Sequence, residues 1–348
     1  MNFSNRSKLF LLLLIVIVCL PRFDRNDFLI QDMVGSGMGN DSSQYVAMAD
    51  GFKGETPRIT PTAPFTYRAL VPYLASFLPL PSMTAINVIN VLTLWLGTNL
   101  LAQLLVQQGM KQAHALLVMV AFIVSFPVFY YGAIGYLDTT FIGLLAIGSY
   151  LLARNQDGPL IAVIFISTFV KESIVLIVPV YFLQGLVQKR GILRIVLTTA
   201  ALVASYMFGM WLARKFSSDQ SGFTWEPSME TFLKNVYRVR TWLSFLLSAG
   251  LLCALGLLLI AVTLLRKNLD LFCRMLPWIA GIGGSMALFF YSLVSAYSDG
   301  RFIWPATVFV IPLLGLYYNE YKVQISRGID SKLRRSRLAI PRIQRHPL

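Results

Sequence analysis

The sequence predicts an all-α, polytopic membrane protein of about ten membrane segments, with a partly helical loop after the first of them. Three observations carry this: 56% of the 348 residues are hydrophobic, only 13% are charged, and the apolar residues come in long runs separated by short polar stretches. A soluble domain has roughly 45–50% apolar and about 25% charged residues. A core facing water cannot absorb the difference.

A crossing helix needs about 20 apolar residues to cover the roughly 30 Å hydrocarbon layer, and shorter segments are accommodated at modest cost. On that measure the segments lie near residues 8–23, 83–107, 113–133, 139–154, 158–170, 173–188, 192–213, 242–265, 272–296 and 302–319. The fifth and sixth are too short to be ordinary spans. The first follows Arg6 and Lys8, as in a signal peptide, but Pro21-Arg22-Phe23 offers no small-residue cleavage site, so a retained anchor is expected. Residues 24–82 then form a first outer loop. Within it, residues 42–50 suit a helix, and 65–78 have the amphipathic pattern of a helix lying on the interface. A second outer loop covers 214–241. A basic cytoplasmic tail, 320–348, follows a single transmembrane domain of residues 1–319.

The net charge of +14 sorts by membrane side. Lys and Arg near spans are retained on the cytoplasmic side. With an inner N-terminus and ten segments, 18 of the 30 basic and 4 of the 16 acidic residues fall inside. The whole net charge then sits on the inner face. Reading 158–188 as one long helix would give nine spans and expel the basic tail. A helical hairpin with Lys171 and Glu172 near its turn keeps the number even. Both termini are therefore expected in the cytoplasm and the chain in the plasma membrane, the inner membrane for a bacterial protein. The tail suits anionic inner-leaflet lipid, and no nucleic-acid partner is expected.

Several chemistries are excluded by composition. His114 and His346 are too few and too far apart for a histidine metal site or a serine–histidine hydrolase. Cys19, Cys253 and Cys273 fall in or beside apolar runs, where a thiol behaves as a small hydrophobe, so no disulfide framework is expected. The glycine cluster at 35–39 follows no strand and lacks the Lys-Ser/Thr ending of a phosphate loop.

Four polar elements interrupt the apolar pattern. The first outer loop carries Asn40-Asp41-Ser-Ser-Gln-Tyr45 and then Tyr67-Arg68-Ala-Leu-Val-Pro72. Gly135-Tyr136-Leu-Asp138 opens the fourth segment, Lys171-Glu172 interrupts an apolar run, and Ser298-Asp299-Gly-Arg301-Phe-Ile-Trp-Pro305 precedes the last span. Together they resemble the multispan GT-C class of glycosyltransferases. That resemblance implies a catalytic acidic residue in the first outer loop and a polyprenyl- or dolichyl-phosphate sugar as donor. The acceptor is then a glycan, a lipid or a protein on the extracytoplasmic face.

Transfer from a lipid phosphate needs a carboxylate to take the acceptor proton and cations to hold the leaving phosphate. Asp41 is the candidate base. Asp138 is the candidate second carboxylate, orienting the acceptor or a divalent metal ion. Lys171, Arg68 and Arg301 are the candidate phosphate clamps, with Tyr45 and Glu172 beside them in substrate binding. Each has a plainer reading. Asp41 and Asp138 both stand where helix caps occur, Lys171 and Glu172 can neutralise each other at a turn, and Arg68 can snorkel from an interfacial helix. The competing functions are a polysaccharide polymerase, a lipid-linked sugar transporter or flippase, and a structural membrane subunit. A transporter should show internal repeats and polar residues at mid-span, whereas the charges here gather at the outer ends of spans.

Overall fold

The computed structural model describes residues 3–23, 41–55, 63–216 and 227–338, so the glycine cluster at 35–39 and the end of the basic tail lie outside the described residues. Among the described residues every regular element is helical. In chain order they are α1 (Asn5–Cys19), α2 (Asp41–Lys53), α3 (Leu70–Ser76), α4 (Ser82–Gln107), α5 (Gln112–Ile123), α6 (Phe126–Tyr131) and α7 (Asp138–Ala153). There follow α8 (Asp157–Thr168), α9 (Ile177–Val187), α10 (Ile192–Phe216), α11 (Met229–Tyr237), α12 (Val239–Leu265), α13 (Leu269–Ser295) and α14 (Pro305–Leu338).

Five helices are long and apolar enough to cross a membrane: α4, α10, α12, α13 and the stretch Gly300–Lys322 that includes the first half of α14. Four more apolar helices are shorter, near Gln112–Ile123, Asp138–Ala153, Asp157–Thr168 and Glu172–Val187. The chain is thus an integral membrane protein by the length and composition of its helices. Exposed residues support the same solvent. Leu197, Met207 and Trp211 on α10, and Leu251, Leu258 and Leu265 on α12, face outward, and in water such apolar faces would drive association.

Where lipid is the surround, helices gain little by hiding apolar area from it, and close backbone approach does more. The densest pairing is α4 with α7. A Cβ on Gly97 would stand 2.7 Å from the carbonyl oxygen of Gly143, and one on Gly143 would stand 2.5 Å from that of Thr93. The absence of side chains at this crossing allows the two backbones to touch. α14 packs against α13 and also touches α4 and α7, with Phe309, Val310 and Ile311 fully buried.

Three expectations about local structure change. The third segment is not continuous: α5 ends at Ile123 and Ser125 starts α6, which has Pro127 in its first turn. Proline is accepted there because its missing N–H has no intrahelical acceptor. The amphipathic stretch 65–78 is also not one helix. A single 3₁₀ turn, Phe65–Tyr67, stops at Arg68, and α3 begins at Leu70. The break turns Arg68 inward. Finally, the last helix does not stop near 319 but runs on into the basic tail as far as Leu338.

The expected hairpin is present. α8 ends at Thr168, and a 3₁₀ turn, Glu172–Leu176, leads into α9. With 12 residues, α8 rises about 18 Å, short of the roughly 30 Å hydrocarbon layer. The hairpin turn is tied to the loop at Arg68, since the Leu70 N–H donates to the Phe169 carbonyl at 3.2 Å.

Candidate functional site

The four polar elements singled out in the sequence meet at one end of the bundle. Arg68 forms a fork on Glu172, with Nε–H donating to Oε2 at 3.1 Å and Nη2–H to Oε1 at 2.5 Å, and its Nη1–H donates to the Tyr45 hydroxyl at 3.1 Å. Lys171 donates to Asp138 Oδ1. Arg301 donates to Asp41 Oδ2, and also lies 4.0 Å from Asp138 Oδ2 and 3.4 Å from Asp299 Oδ1. Asp41, Arg68, Lys171, Glu172 and Arg301 line one cleft of about 140 Å³, together with Ser173, Tyr291 and Phe302.

Local folding explains each placement. The N-terminus of α7 is capped from another helix: Asn90 on α4 accepts from the N–H and hydroxyl of Thr140 through Oδ1 and donates to the Tyr136 carbonyl. Asn87, one turn earlier, accepts the Gly135 N–H at 2.8 Å. Asp138 is therefore not the cap of its own helix, and its carboxylate is left for Lys171 and Arg301. Gly135 has φ of +81°, and a Cβ there would stand 2.6 Å from Met83 Sδ and 2.9 Å from Ser42 Cβ. Glycine at this position lets α2, which carries Asp41 and Tyr45, sit against the turn that carries Asp138.

The last motif is held from α11 and α12. Asn235 donates to the carbonyls of Leu293 and Ala296 and accepts the Ser298 N–H. Gly300 donates its N–H to Ser244 Oγ at 3.0 Å. Asp299 caps the 3₁₀ turn Gly300–Phe302 by accepting the Arg301 N–H, and the Arg301 guanidinium lies over the Tyr136 ring at 5.2 Å.

The plainer readings for the cations do not hold in this form. Lys171 and Glu172 do not neutralise each other but take partners from α7 and from the first loop. Arg68 is 5% exposed and so does not snorkel to the surface. As phosphate clamps, all three cations are already engaged: Arg68, Lys171 and Arg301 face four carboxylates, those of Asp41, Asp138, Glu172 and Asp299. Of the two candidate catalytic acids Asp41 is the more accessible, its side chain 19% exposed against 8% for Asp138, while Glu172 is more open than either. Among the described residues no group of three acidic, His or Cys side chains gathers to hold a metal ion.

Asp299, in the turn before the last span, belongs to this cluster as well. It is 3% exposed, and burial raises its pKa to about 6, opposed by Arg301 and reinforced by Asp138 and Asp41. The only sequence signal was an acidic residue directly before a span. In the first loop, burial likewise pushes the Tyr45 hydroxyl up, so it meets Arg68 as a neutral phenol.

No family model, no curated protein and no solved structure matches this chain.

Proposed function

We propose that the protein is a membrane glycosyltransferase that moves a sugar from a polyprenyl- or dolichyl-phosphate carrier to an acceptor on the extracytoplasmic face, as the resemblance to the GT-C class implies. The observation that carries this reading is the convergence of Asp41, Arg68, Lys171-Glu172 and Arg301 on one cleft, with Asp138 joined to it through Lys171 and Arg301. Asp41 is the base for the acceptor hydroxyl: it lines the cleft, it is more open than Asp138, and Arg301 fixes its direction. Asp138 lies behind it and positions Arg301 and Lys171. Arg301, Lys171 and Arg68 sit where negative charge on a leaving phosphate develops, and they exchange carboxylate partners for it as it forms.

In this reading the ten segments are α1, α4, α5 with α6, α7, α8, the 3₁₀ turn with α9, α10, α12, α13 and α14. The N- and C-termini are cytoplasmic and the membrane is the plasma membrane. The gathering of Lys171-Glu172 with the first loop supports the even number, because a single helix over 158–188 would carry this pair away from Arg68.

The test is transfer of labelled sugar from a panel of polyprenyl-phosphate sugars by the purified full chain, with Asp41→Asn beside the wild type. General-base removal costs about 10²–10⁴-fold in rate. Transfer by wild type that falls by that much in Asp41→Asn upholds both class and base. Equal transfer by the two proteins moves the base elsewhere, and absence of transfer from every donor favours the polymerase or transport readings.

A further inference from the structure

A second group of cations lies at the same end of the bundle and is built differently from the cleft. The Arg22 guanidinium, in the turn after α1, lies 4.2 Å from the centre of the Tyr130 ring. Arg240, near the start of α12, donates Nη2–H to the hydroxyl of that same tyrosine at 3.4 Å. Arg238 and Arg240 share the ring of Tyr297, at 4.4 and 5.8 Å. Two aromatic rings thus gather three guanidinium groups from two distant stretches of the chain. Tyr130 leads back to the cleft, since Tyr131 packs between Tyr130, Tyr136 and Trp304.

The charge balance separates the two groups. In the cleft every cation has a carboxylate. Here, among the described residues, no acidic side chain pairs with Arg22 or Arg238, and Nε and Nη2 of Arg22 are buried with no hydrogen-bond partner. Buried donors of a charged group are expensive to leave unmade. The planar fork of arginine matches the oxygens of a phosphate and stays charged at any working pH. Aromatic faces hold such cations without neutralising them.

The surroundings identify where the phosphate comes from. α11 runs directly into Arg238 and leaves Met229, Leu233 and Tyr237 exposed at four-residue spacing, with Glu230 and Lys234 paired to each other. An amphipathic helix of this pattern lies in the plane of the membrane interface, where Tyr is enriched and Arg serves as an anchor. A headgroup bound between Arg22 and Arg238 would keep its chains in the lipid beside this apolar row.

We infer that Arg22, Arg238 and Arg240, with Tyr130 and Tyr297, form a binding site for the phosphate headgroup of a lipid, separate from the carboxylate-lined cleft. The inference does not rest on the transferase reading and is tested by binding alone.

The full chain in a neutral detergent is titrated with dioctanoyl phosphatidic acid, with inorganic phosphate and with dioctanoylglycerol, following tryptophan fluorescence or thermophoresis. Phosphatidic acid should bind and dioctanoylglycerol should not compete. Loss of one charge-assisted contact weakens binding by about tenfold or more, so Arg22→Gln and Arg238→Gln should each do so. Arg22→Lys and Arg238→Lys should fall between, and these charge-conserving variants decide the matter if the glutamine variants do not fold. Arg154→Gln, elsewhere on the protein, should bind as wild type does. Wild-type affinity in both arginine variants would overturn the site. Inorganic phosphate binding as tightly as the lipid would overturn the lipid as its ligand.

Discussion

The Arg301 guanidinium donates to the Asp41 carboxylate across 260 positions of the chain. This contact joins the first loop to the turn before the last span, and its partners are nearly buried, with Arg301's side chain 10% exposed. Removing one member of a buried pair strands the other, at a cost of about 3–5 kcal/mol. Arg301→Ala should therefore melt well below wild type in detergent and lose sugar transfer. Arg301→Lys keeps the charge but not the fork that spans Asp41, Asp138 and Asp299, so it should fold with a smaller loss of stability and still transfer poorly. An alanine variant that melts with wild type would show that this contact does not close the site.

The Lys171–Asp138 pair should behave asymmetrically. Asp138→Asn leaves the Lys171 ammonium buried among Phe141 and Phe302, both rings within 5.6 Å, at a cost of about 3–5 kcal/mol. Lys171→Met leaves Asp138 with Arg301 at 4.0 Å and should cost less. The double variant Asp138→Asn with Lys171→Met should be more stable than the sum of the singles by about 0.5–3 kcal/mol. Additive losses in unfolding would contradict direct coupling.

Asp299 should make stability depend on pH. Its pKa of about 6 in the folded chain lies above the roughly 3.9 of an unfolded aspartate. The folded state therefore holds this proton more tightly between those values, and stability falls as pH rises through the window from about 4 to 6. The full effect is at most about 3 kcal/mol. Asp299→Asn keeps an acceptor for the Arg301 N–H and removes the titration. Melting curves between pH 5 and 7 should be flatter for this variant, and an equal slope in both proteins would place the titration elsewhere.

Gly135→Ala tests how the first loop is seated. At φ of +81° an added Cβ meets Met83 and Ser42 within 3 Å. Left-handed backbone costs a non-glycine residue roughly 1–2 kcal/mol before any clash. The variant should lose stability by at least that amount and detach α2 from the Asp138 turn, read as faster proteolysis in the first loop. Unchanged proteolysis would mean that α2 is held by other contacts.

Much of the helical framework was legible because span length and apolar runs are local properties. The starts of α4 and α7 fall within one residue of the expected ones, and the hairpin at Lys171-Glu172 followed from the distribution of Lys and Arg alone. The breaks at Ser125 and Arg68 were less legible. Their signals are Pro127 and Pro72, each of which lacks an N–H and crowds the carbonyl four residues back, at Ile123 and at Arg68, so that a new first turn forms at the proline.

The sequence by itself determined the membrane and helical class and the polar elements that interrupt the apolar runs, since each depends on residues within about twenty positions of one another. Only the tertiary structure decided which charge meets which. Arg68 finds Glu172 at a separation of 104 positions, Asn90 takes the capping role that Asp138 was suited to, and Arg22 and Arg240 both meet Tyr130. Adjacent charges such as Lys171 and Glu172 point to different neighbours once the hairpin turn is packed, and a buried charge takes the partner that packing brings within reach of its side chain.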